Sequence, residues 1–317
     1  SCWGKNRNGQ IGDGSTSAHG TPFAVPGLSG VTAIAANDDT SCAIAGGIVQ
    51  CWGGNDNGEL GDGNTTARGT PGPVMGITNA SGVALGDRHG CAFTTDGATY
   101  CWGDNQNGQL GDGTGADALT PLRVPLGVKV VAIYAGRLFT CARDDQSQLW
   151  CWGDDESGQL FDGNSADQLA PVRVPLDAVD AMAGGDAHAC VVLHTGVIEC
   201  AGFNGRGQLG DGRRTTRPTP EMVTLGSAKT LIAGGGHTCA IMMDGTVECW
   251  GQNIGGECGN GTVENLTAPT PVPGQDNVVD LDAGYNHTCA VHADGTIACW
   301  GVNDYGRLGN GTSTRAS

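Results

Sequence analysis

Basic side chains are scarce in this sequence. The 317 residues hold 16 Lys and Arg against 33 Asp and Glu, a net charge of −17 with His neutral. Affinity for phosphate backbones rests on Lys and Arg displacing counterions, so this balance excludes nucleic acid as a partner and disfavours anionic membrane surfaces. Aromatic residues make up only 5 % of the chain and charged residues 15 %, which leaves few large side chains for a core. No run approaches the roughly 18 consecutive apolar residues of a membrane span, so direct membrane insertion is not expected. No segment shows a capped 3.6-residue apolar period either, which argues against helices of useful length. Cys-x-x-Cys is missing, and with it the usual sign of a zinc site. Nucleophile-elbow and phosphate-cradling sequences are also missing. The chain is therefore expected to be no enzyme and to hold no cofactor and no metal. Nothing at Ser1 has the form of a signal peptide, and the chain opens inside a motif, Ser1-Cys2-Trp3-Gly4; the expectation is that an upstream segment was removed or left out.

What is abundant is Gly, 56 of 317 residues, far above the usual share of about 7 %. Its distribution follows a repeat that covers the chain as one domain, residues 1–317. Cys-Trp-Gly begins at Cys2, Cys51, Cys101, Cys151, Cys249 and Cys299, with a Cys-Ala-Gly variant at Cys200, so that the intervals are 49, 50, 50, 49, 49 and 50 residues. A G-x-N-x-x-G-Q-L-G-D-G segment follows each, as in Gly103 to Gly113, then a polar loop, a Pro-containing strand, an apolar strand such as Val278 to Ala283, and an A-G-x-x-H-T-C segment that runs into a hairpin. Short alternating runs bounded by Gly, Asp, Asn and Pro read as about four antiparallel strands per unit. Four short strands at a period near fifty is the pattern of an all-β propeller, in which each small sheet packs both faces on its neighbours.

The cysteines test that geometry. Each unit carries two across an expected hairpin turn: Cys42 and Cys51, Cys91 and Cys101, Cys141 and Cys151, Cys190 and Cys200, Cys239 and Cys249, Cys289 and Cys299. In the last, a three-residue loop Ala293-Asp294-Gly295 pairs His292 with Thr296, and counting outward sets Cys289 opposite Cys299. The first pair is one residue closer, but its Gly46-Gly47 turn is also one residue shorter, so Cys42 again faces Cys51. Both counts end on a non-hydrogen-bonded pair, close enough to bridge. Six disulfides within blades imply an oxidising compartment: extracellular, periplasmic or cell surface. Ser147 stands where the other turns have Gly, so a strained turn is expected there. Cys258 replaces the Leu of Q-L-G and reads as a small buried apolar residue. Cys2 corresponds to the second cysteine of a hairpin whose first strand would precede Ser1. Seven Cys-Trp/Ala-Gly segments predict a seven-bladed propeller with one blade incomplete; a six-bladed ring with redundant ends is the alternative.

Ala283-Gly284-Tyr285-Asn286-His287-Thr288-Cys289 together with Cys299-Trp300-Gly301-Val302-Asn303, and their counterparts in nearly every unit, resemble the repeats of the regulator of chromosome condensation family. The cysteine-rich form looks like repeats found in exported bacterial proteins. The resemblance implies a seven-bladed propeller and transfers function poorly. Eukaryotic relatives include an exchange factor for a small GTPase, an activity associated with a wedge inserted in one blade and a basic tail. The even intervals leave no room for the first, and no basic run supplies the second, so regulation of a GTPase is disfavoured. A plant relative senses UV-B through Trp residues ahead of the hairpin, where this chain has none. Secreted bacterial relatives inhibit β-lactamases by covering the active site with one propeller face.

Individual residues read mostly as structural. His89, His188, His237 and His287 recur before the hairpin, with Thr40 and Phe139 in their place in two units; a hydrogen-bonding role is expected rather than a metal ring. Asp13, Asp62, Asp112, Asp162 and Asp211, with Asn260 and Asn310, read as residues that satisfy their own turns. Asp154, Asp155 and Glu156 read as a solvated charge run. The Trp series reads as packing between blades, and Ala201, which interrupts it, predicts a weaker or repacked blade. Variation concentrates just ahead of each hairpin cysteine pair, at Asp38, Asp39, Asp87, Arg88, Arg137, Leu138, Phe139, Asp186, Tyr285 and Asn286. Loops at one propeller mouth are natural recognition positions, and this mix suits a protein partner. The expectation is a monomeric, non-enzymatic protein-binding scaffold on an exported or cell-surface protein. An inhibitor that covers a secreted protease or β-lactamase is the alternative.

Overall fold

The structure is a computed structural model that describes residues 1–317. Its regular structure is β throughout, apart from one 3₁₀ turn at Asp304–Gly306. No helix is long and apolar enough to cross a membrane. The chain divides into two compact units, residues 1–154 with 167–174, and residues 155–166 with 175–317.

The first unit begins with a two-stranded ribbon, β1 (Cys2–Gly4) and β2 (His19–Phe23). The first blade follows: β3 (Val31–Ala36), β4 (Thr40–Ala45), β5 (Ile48–Gly53) and β6 (Arg68–Pro73), antiparallel and in chain order. Residues 80–123 and 130–173 repeat that order in two more blades. The second unit holds four-stranded blades over residues 179–222 and 228–271. It also holds a three-stranded blade over 278–301, where Ala316 bridges Gly301. The blades are thus six, not seven. Counting Cys-Trp/Ala-Gly segments counts third strands, and the segment at Cys2 belongs to a ribbon that has no inner pair of strands.

Hairpin register follows the turn lengths. Gly46 and Gly47 both take positive φ, 59° and 77°, and Ala45 pairs with Ile48. In the longer turns one residue is left-handed, as Gly295 is at φ 84°, and His292 N–H donates to Thr296 O at 2.9 Å. Ser147 adopts the same geometry at φ 60° and closes its turn with a hydrogen bond to Asp144 O, at a cost of roughly 1–2 kcal/mol for a residue with a β-carbon. All six expected disulfides are present, each with Cα atoms 4.1 Å apart on directly opposed residues. Cys258 is fully buried in the apolar cluster that includes Val272, Val278 and Trp300.

Within each unit the seams between blades share one composition. Between the first and second blades, Cys42, Ile44, Val49 and Cys51 on one side meet Ala80, Leu85, Ala92 and Trp102 on the other, with Leu60 and Val74 filling the outer end. The cystine therefore serves as apolar packing as well as a staple. The indole supplies the largest buried surface and is positioned by its N–H: Trp52, Trp102, Trp152, Trp250 and Trp300 donate to the carbonyls of Gln10, Glu59, Gln109, Gln208 and Glu257 at 2.7–2.9 Å. Each ring lies on a glycine of the preceding motif. A β-carbon on Gly12 would sit 2.7 Å from Nε1 of Trp52, and Gly111, Gly210 and Gly259 are equally close to their indoles.

The interrupted blade is repacked rather than left hollow. Where Trp gives way to Ala201, the glycine of the preceding motif gives way to Phe161, and both residues are fully buried. In the other seams the α-to-β bond at that glycine would point into the indole, so at 161 a ring enters from the opposite side of the seam. Phe161 holds a left-handed backbone, φ 63°, to do so.

Two outcomes follow. Alkylation of unreduced, denatured protein is expected to modify two of the fourteen cysteines, and in the native protein to spare Cys258; removing one staple by Cys190→Ala/Cys200→Ala should lower stability by roughly 2–3 kcal/mol in a urea titration, the closure entropy of a loop of about ten residues. Ala201→Trp alone should destabilise by about 2 kcal/mol through overpacking and Phe161→Gly alone by about 3 kcal/mol through the cavity it leaves. The double variant should recover most of both losses, whereas additive losses would show that the two sites do not share a space.

Candidate protein-interaction face

The loops between the first and second strands of the six blades, residues 37–39, 86–88, 136–138, 185–187, 234–236 and 284–286, rest in five cases on a ring tucked beneath the loop's glycine. In four blades the A-G-x-x-H segment folds its imidazole under its own glycine: β-carbons on Gly86, Gly185, Gly234 and Gly284 would fall 2.1–2.2 Å from Cε1 of His89, His188, His237 and His287. Phe139 fills the same place beneath Gly136. The first blade exchanges both partners, and Asn37 Oδ1 accepts from the backbone N–H of Asp39 and Thr40 at 3.0 and 2.7 Å.

Three of the imidazoles tie their loop to the next blade. Thr140 Oγ1 donates to Gln109 O at 2.9 Å and so is left to accept from Nε2–H of His89, also at 2.9 Å. The relays His188–Thr238–Gln208 and His237–Thr288–Glu257 repeat it. Nδ1 of these histidines is buried with no partner. Burial disfavours the imidazolium and lowers the pKa to about 4 at His89 and His237; at His188 burial, His237 and Arg206 together bring it to about 3. The histidines are structural donors. Neighbouring loops are also joined through the backbone: Asp87 N–H donates to Arg137 O in the first unit, and Gly235 N–H to Tyr285 O in the second.

The loops of the first unit are charged and internally paired. Lys5 bridges Asp38 and Asp39 at 2.9 and 2.8 Å, while Asp87 faces Arg137 at 3.5 Å and Arg88 at 3.8 Å. Burial pulls the Lys5 pKa down, but its hydrogen bonds to Asp39 and Asp38 outweigh that and hold it up. Exposed pairs of this kind contribute well under about 1 kcal/mol each. Leu138 is half-buried. Phe139, expected on the surface, is 0 % exposed; it substitutes for a buried histidine, and the position, not the residue type, decides its place.

The loops of the second unit have another character. Tyr285 is 49 % exposed and its ring rests on Gly235, where a β-carbon would lie 2.9 Å from it. Asp186 is half-buried. Asn286 accepts from Gln252 Nε2 at 2.7 Å. Beside them lies a cleft of about 530 Å³ lined by Arg206, Gln252, Ile254, Asn286, Val302 and Arg315. Ile254 is 64 % exposed at its rim. Sequence reasoning missed Arg206, Gln252, Ile254 and Arg315; the signal for the first three was the variable slots of W-G-x-N-x-x-G, which differ from unit to unit as much as the loops do.

The other candidate residues resolve into backbone support. Asp13, Asp62, Asp112, Asp162 and Asp211 each accept the N–H two residues on, as do Asn260 and Asn310. Asp155 is not part of a solvated run: it is fully buried at the motif's Asn position, where Oδ1 accepts from Leu160 N–H at 2.8 Å. Asp154 is 9 % exposed, and only Glu156 is solvated.

The family model described as regulator of chromosome condensation (RCC1) repeat matches residues 2–44, 47–93, 96–143 and 244–291, more than half of the chain. The chain belongs to the RCC1 repeat family. A second model of the same description matches residues 81–109, 130–159 and 278–307. Among solved structures the chain is similar to human WBSCR16, with 19 % identity, a TM-score of 0.88, and coverage of 99 % of this chain and 91 % of that one. It is also similar to yeast RCC1 (Prp20) in its structure bound to Kap60, with 20 % identity, a TM-score of 0.89, and coverage of 100 % and 81 %. A second structure of Prp20p from Saccharomyces cerevisiae, described with its binding to Gsp1p and histones, gives 20 % identity and 0.88 over 100 % and 83 %. At these identities the likeness concerns the fold of this RCC1-repeat protein. No curated protein sequence matches it.

The histidines make the stability of the protein depend on acid. Their folded pKa values lie below the ordinary 6.5, so the unfolded chain takes up protons first, and stability present above pH 6.5 is lost as the pH falls toward 4. The slope is about 1.4 kcal/mol per pH unit for each histidine. Urea titrations at pH 7, 6 and 5 should show that loss, and His237→Thr should remove one proton's share of the slope.

Proposed function

We propose that this chain is a non-enzymatic protein-binding scaffold of an exported or cell-surface protein, and that the strand-connecting loops of the second unit engage the partner. The observation that carries this reading is the exposure of Ile254 on a cleft that Arg206 and Arg315 also line, with exposed Tyr285 next in sequence to the lining residue Asn286. Aromatic and Arg side chains beside exposed apolar ones have the composition of interface hot spots. The first unit's loops are more polar, with Asp38 and Asp39 paired to Lys5 and Asp87 to Arg88 and Arg137. Six cystines support an oxidising compartment, since such bonds persist outside the reducing cytosol.

A propeller of this family presents its loops without any need for chemistry, which fits a scaffold and also a blocking inhibitor of a secreted enzyme. Prp20p is described with Gsp1p and histones; nothing in the even spacing of this chain adds an insertion of the sort a GTPase regulator uses.

Capture from the medium of the source cells with a cleavable crosslinker tests the reading. Ile254→Asp/Tyr285→Ala should lower recovery of the specific partner at least about tenfold, as loss of two hot-spot contacts implies, with the melting temperature unchanged because both side chains are exposed. Equal recovery from both proteins would remove this face from consideration. A captured hydrolase whose activity falls on titration with the pure protein would identify the inhibitor form.

A further inference from the structure

We infer that the seam between the first and second blades carries a saccharide subsite, built from Asn79, Asp96 and Tyr100, that takes one neutral pyranose ring. The site lies in the first unit and does not rest on the cleft lined by Arg206 and Ile254.

Elsewhere the hairpin-turn end of a seam is closed by an aliphatic residue of the connection between blades. The connection before the third blade runs from buried Val124 to buried Val130, and Leu126, two residues after the first valine, packs with Trp150 on the cluster that holds both. Trp150 is braced there, since its Nε1–H donates to Asp144 Oδ2 at 3.1 Å. Leu225, two residues after buried Val223, packs in the same way before the fifth blade. The connection before the second blade has the same length as the one before the third, from Val74 to Ala80, but Gly76 stands in place of Leu126. Tyr100 replaces Trp150 and Thr94 replaces Asp144. At these residues lies a cavity of about 260 Å³, lined by Gly76, Thr78, Asn79, Thr95, Asp96 and Tyr100.

The cavity is polar and its walls are fixed. Thr95 N–H donates to Asn79 O at 3.0 Å, which fastens the hairpin turn to the connection. Thr94 Oγ1 and Ala98 N–H both donate to Asp96 Oδ1 and hold that carboxyl below the usual carboxylate range, leaving Oδ2 available. No hydrogen bond within the protein engages the carboxamide of Asn79 or the hydroxyl of Tyr100. No Lys or Arg lines the cavity, so its one charge is negative and an anionic ligand is disfavoured. A sugar hydroxyl is donor and acceptor at once; a carboxylate takes its proton, a carboxamide can both give and receive, and an aromatic ring suits the C–H face. Asp96, Asn79 and Tyr100 supply the three. The volume equals about nine waters at ~30 Å³ each, room for one ring and not for a chain of them. A free sugar and the terminal residue of a glycan present the same ring.

Saturation-transfer NMR of the protein with a panel of methyl hexosides and N-acetylhexosaminides, followed by titration of the glycoside that binds, tests the site. One glycoside should bind with a Kd of about 1 mM, the range of a single ring held by a few hydrogen bonds. Asp96→Asn should weaken it at least about tenfold, the share of a hydrogen bond to a charged acceptor. Asn keeps an oxygen for the Thr94 hydroxyl, so the melting temperature should stay unchanged. Equal affinity for the same sugar at the end of an oligosaccharide would assign the site to glycan ends, and loss of binding on extension would assign it to free sugar. Silence from every glycoside, binding that survives Asp96→Asn, or occupation by ethylammonium in place of the sugar would each overturn the proposal.

Discussion

The rest of the structure depends on an indole resting on a backbone that carries no side chain. The glycine admits the ring and the ring's N–H finds the carbonyl two residues earlier, so the largest apolar group of each repeat is buried with its only polar atom satisfied. Because donor and acceptor are 42 or 43 residues apart, the contact also measures out the repeat, and one blade's outer turn is set by the next blade's third strand. The exchange of Gly and Trp for Phe161 and Ala201, both fully buried, fits a constraint on the volume that the two positions fill together. A ring can enter from either side, but it cannot be left out.

Thin cores need help, and here the help is covalent. Each seam combines an indole with a few aliphatic side chains of modest size and a cystine that packs as an apolar group. The cystine does double service, since it fills the seam and shortens the unfolded chain's list of conformations. The buried histidines add a directional tie in three blades, and their neutral state is a condition of the fold at ordinary pH. Together these devices leave the loops above them free to vary, because support comes from below through ring, threonine and carbonyl.

Much of this was legible in the sequence. The disulfide register could be counted from turn length, since a hairpin one residue shorter in the turn is also one residue shorter between its cysteines. Turn-satisfying Asp13 and its equivalents, and the buried thiol of Cys258, followed from position within the motif. Phe139 was not legible as buried, because a lone aromatic in a variable loop looks like surface until the glycine above its ring is seen to be the same device that shelters His89. Asp155 was misread for a related reason: three acids in a row suggest solvent, but the second occupies a slot whose backbone partner is fixed. The pairing of Phe161 with Ala201 was invisible, as the two are forty positions apart and each alone looks like a defect. Counting motifs gave seven where the structure has six blades and a two-stranded ribbon, because a motif marks a third strand and not a blade. The cleft at Arg206 and Ile254 escaped notice because its residues lie in motif slots that look conservative when read one repeat at a time.

The order of the bridged cysteines along the chain bears on how the protein acquires its covalent structure. Every bond joins neighbours in sequence across nine or ten residues, so an oxidant that joins each thiol to the next one to emerge would produce the native set with little need for reshuffling. The exception is Cys258: strict order of emergence would join it to Cys289 and leave Cys299 without its partner. What protects the correct set is the short ring, since closing about ten residues costs less chain entropy than closing about thirty, and local hairpin geometry brings the right sulfurs together before the wrong ones can meet.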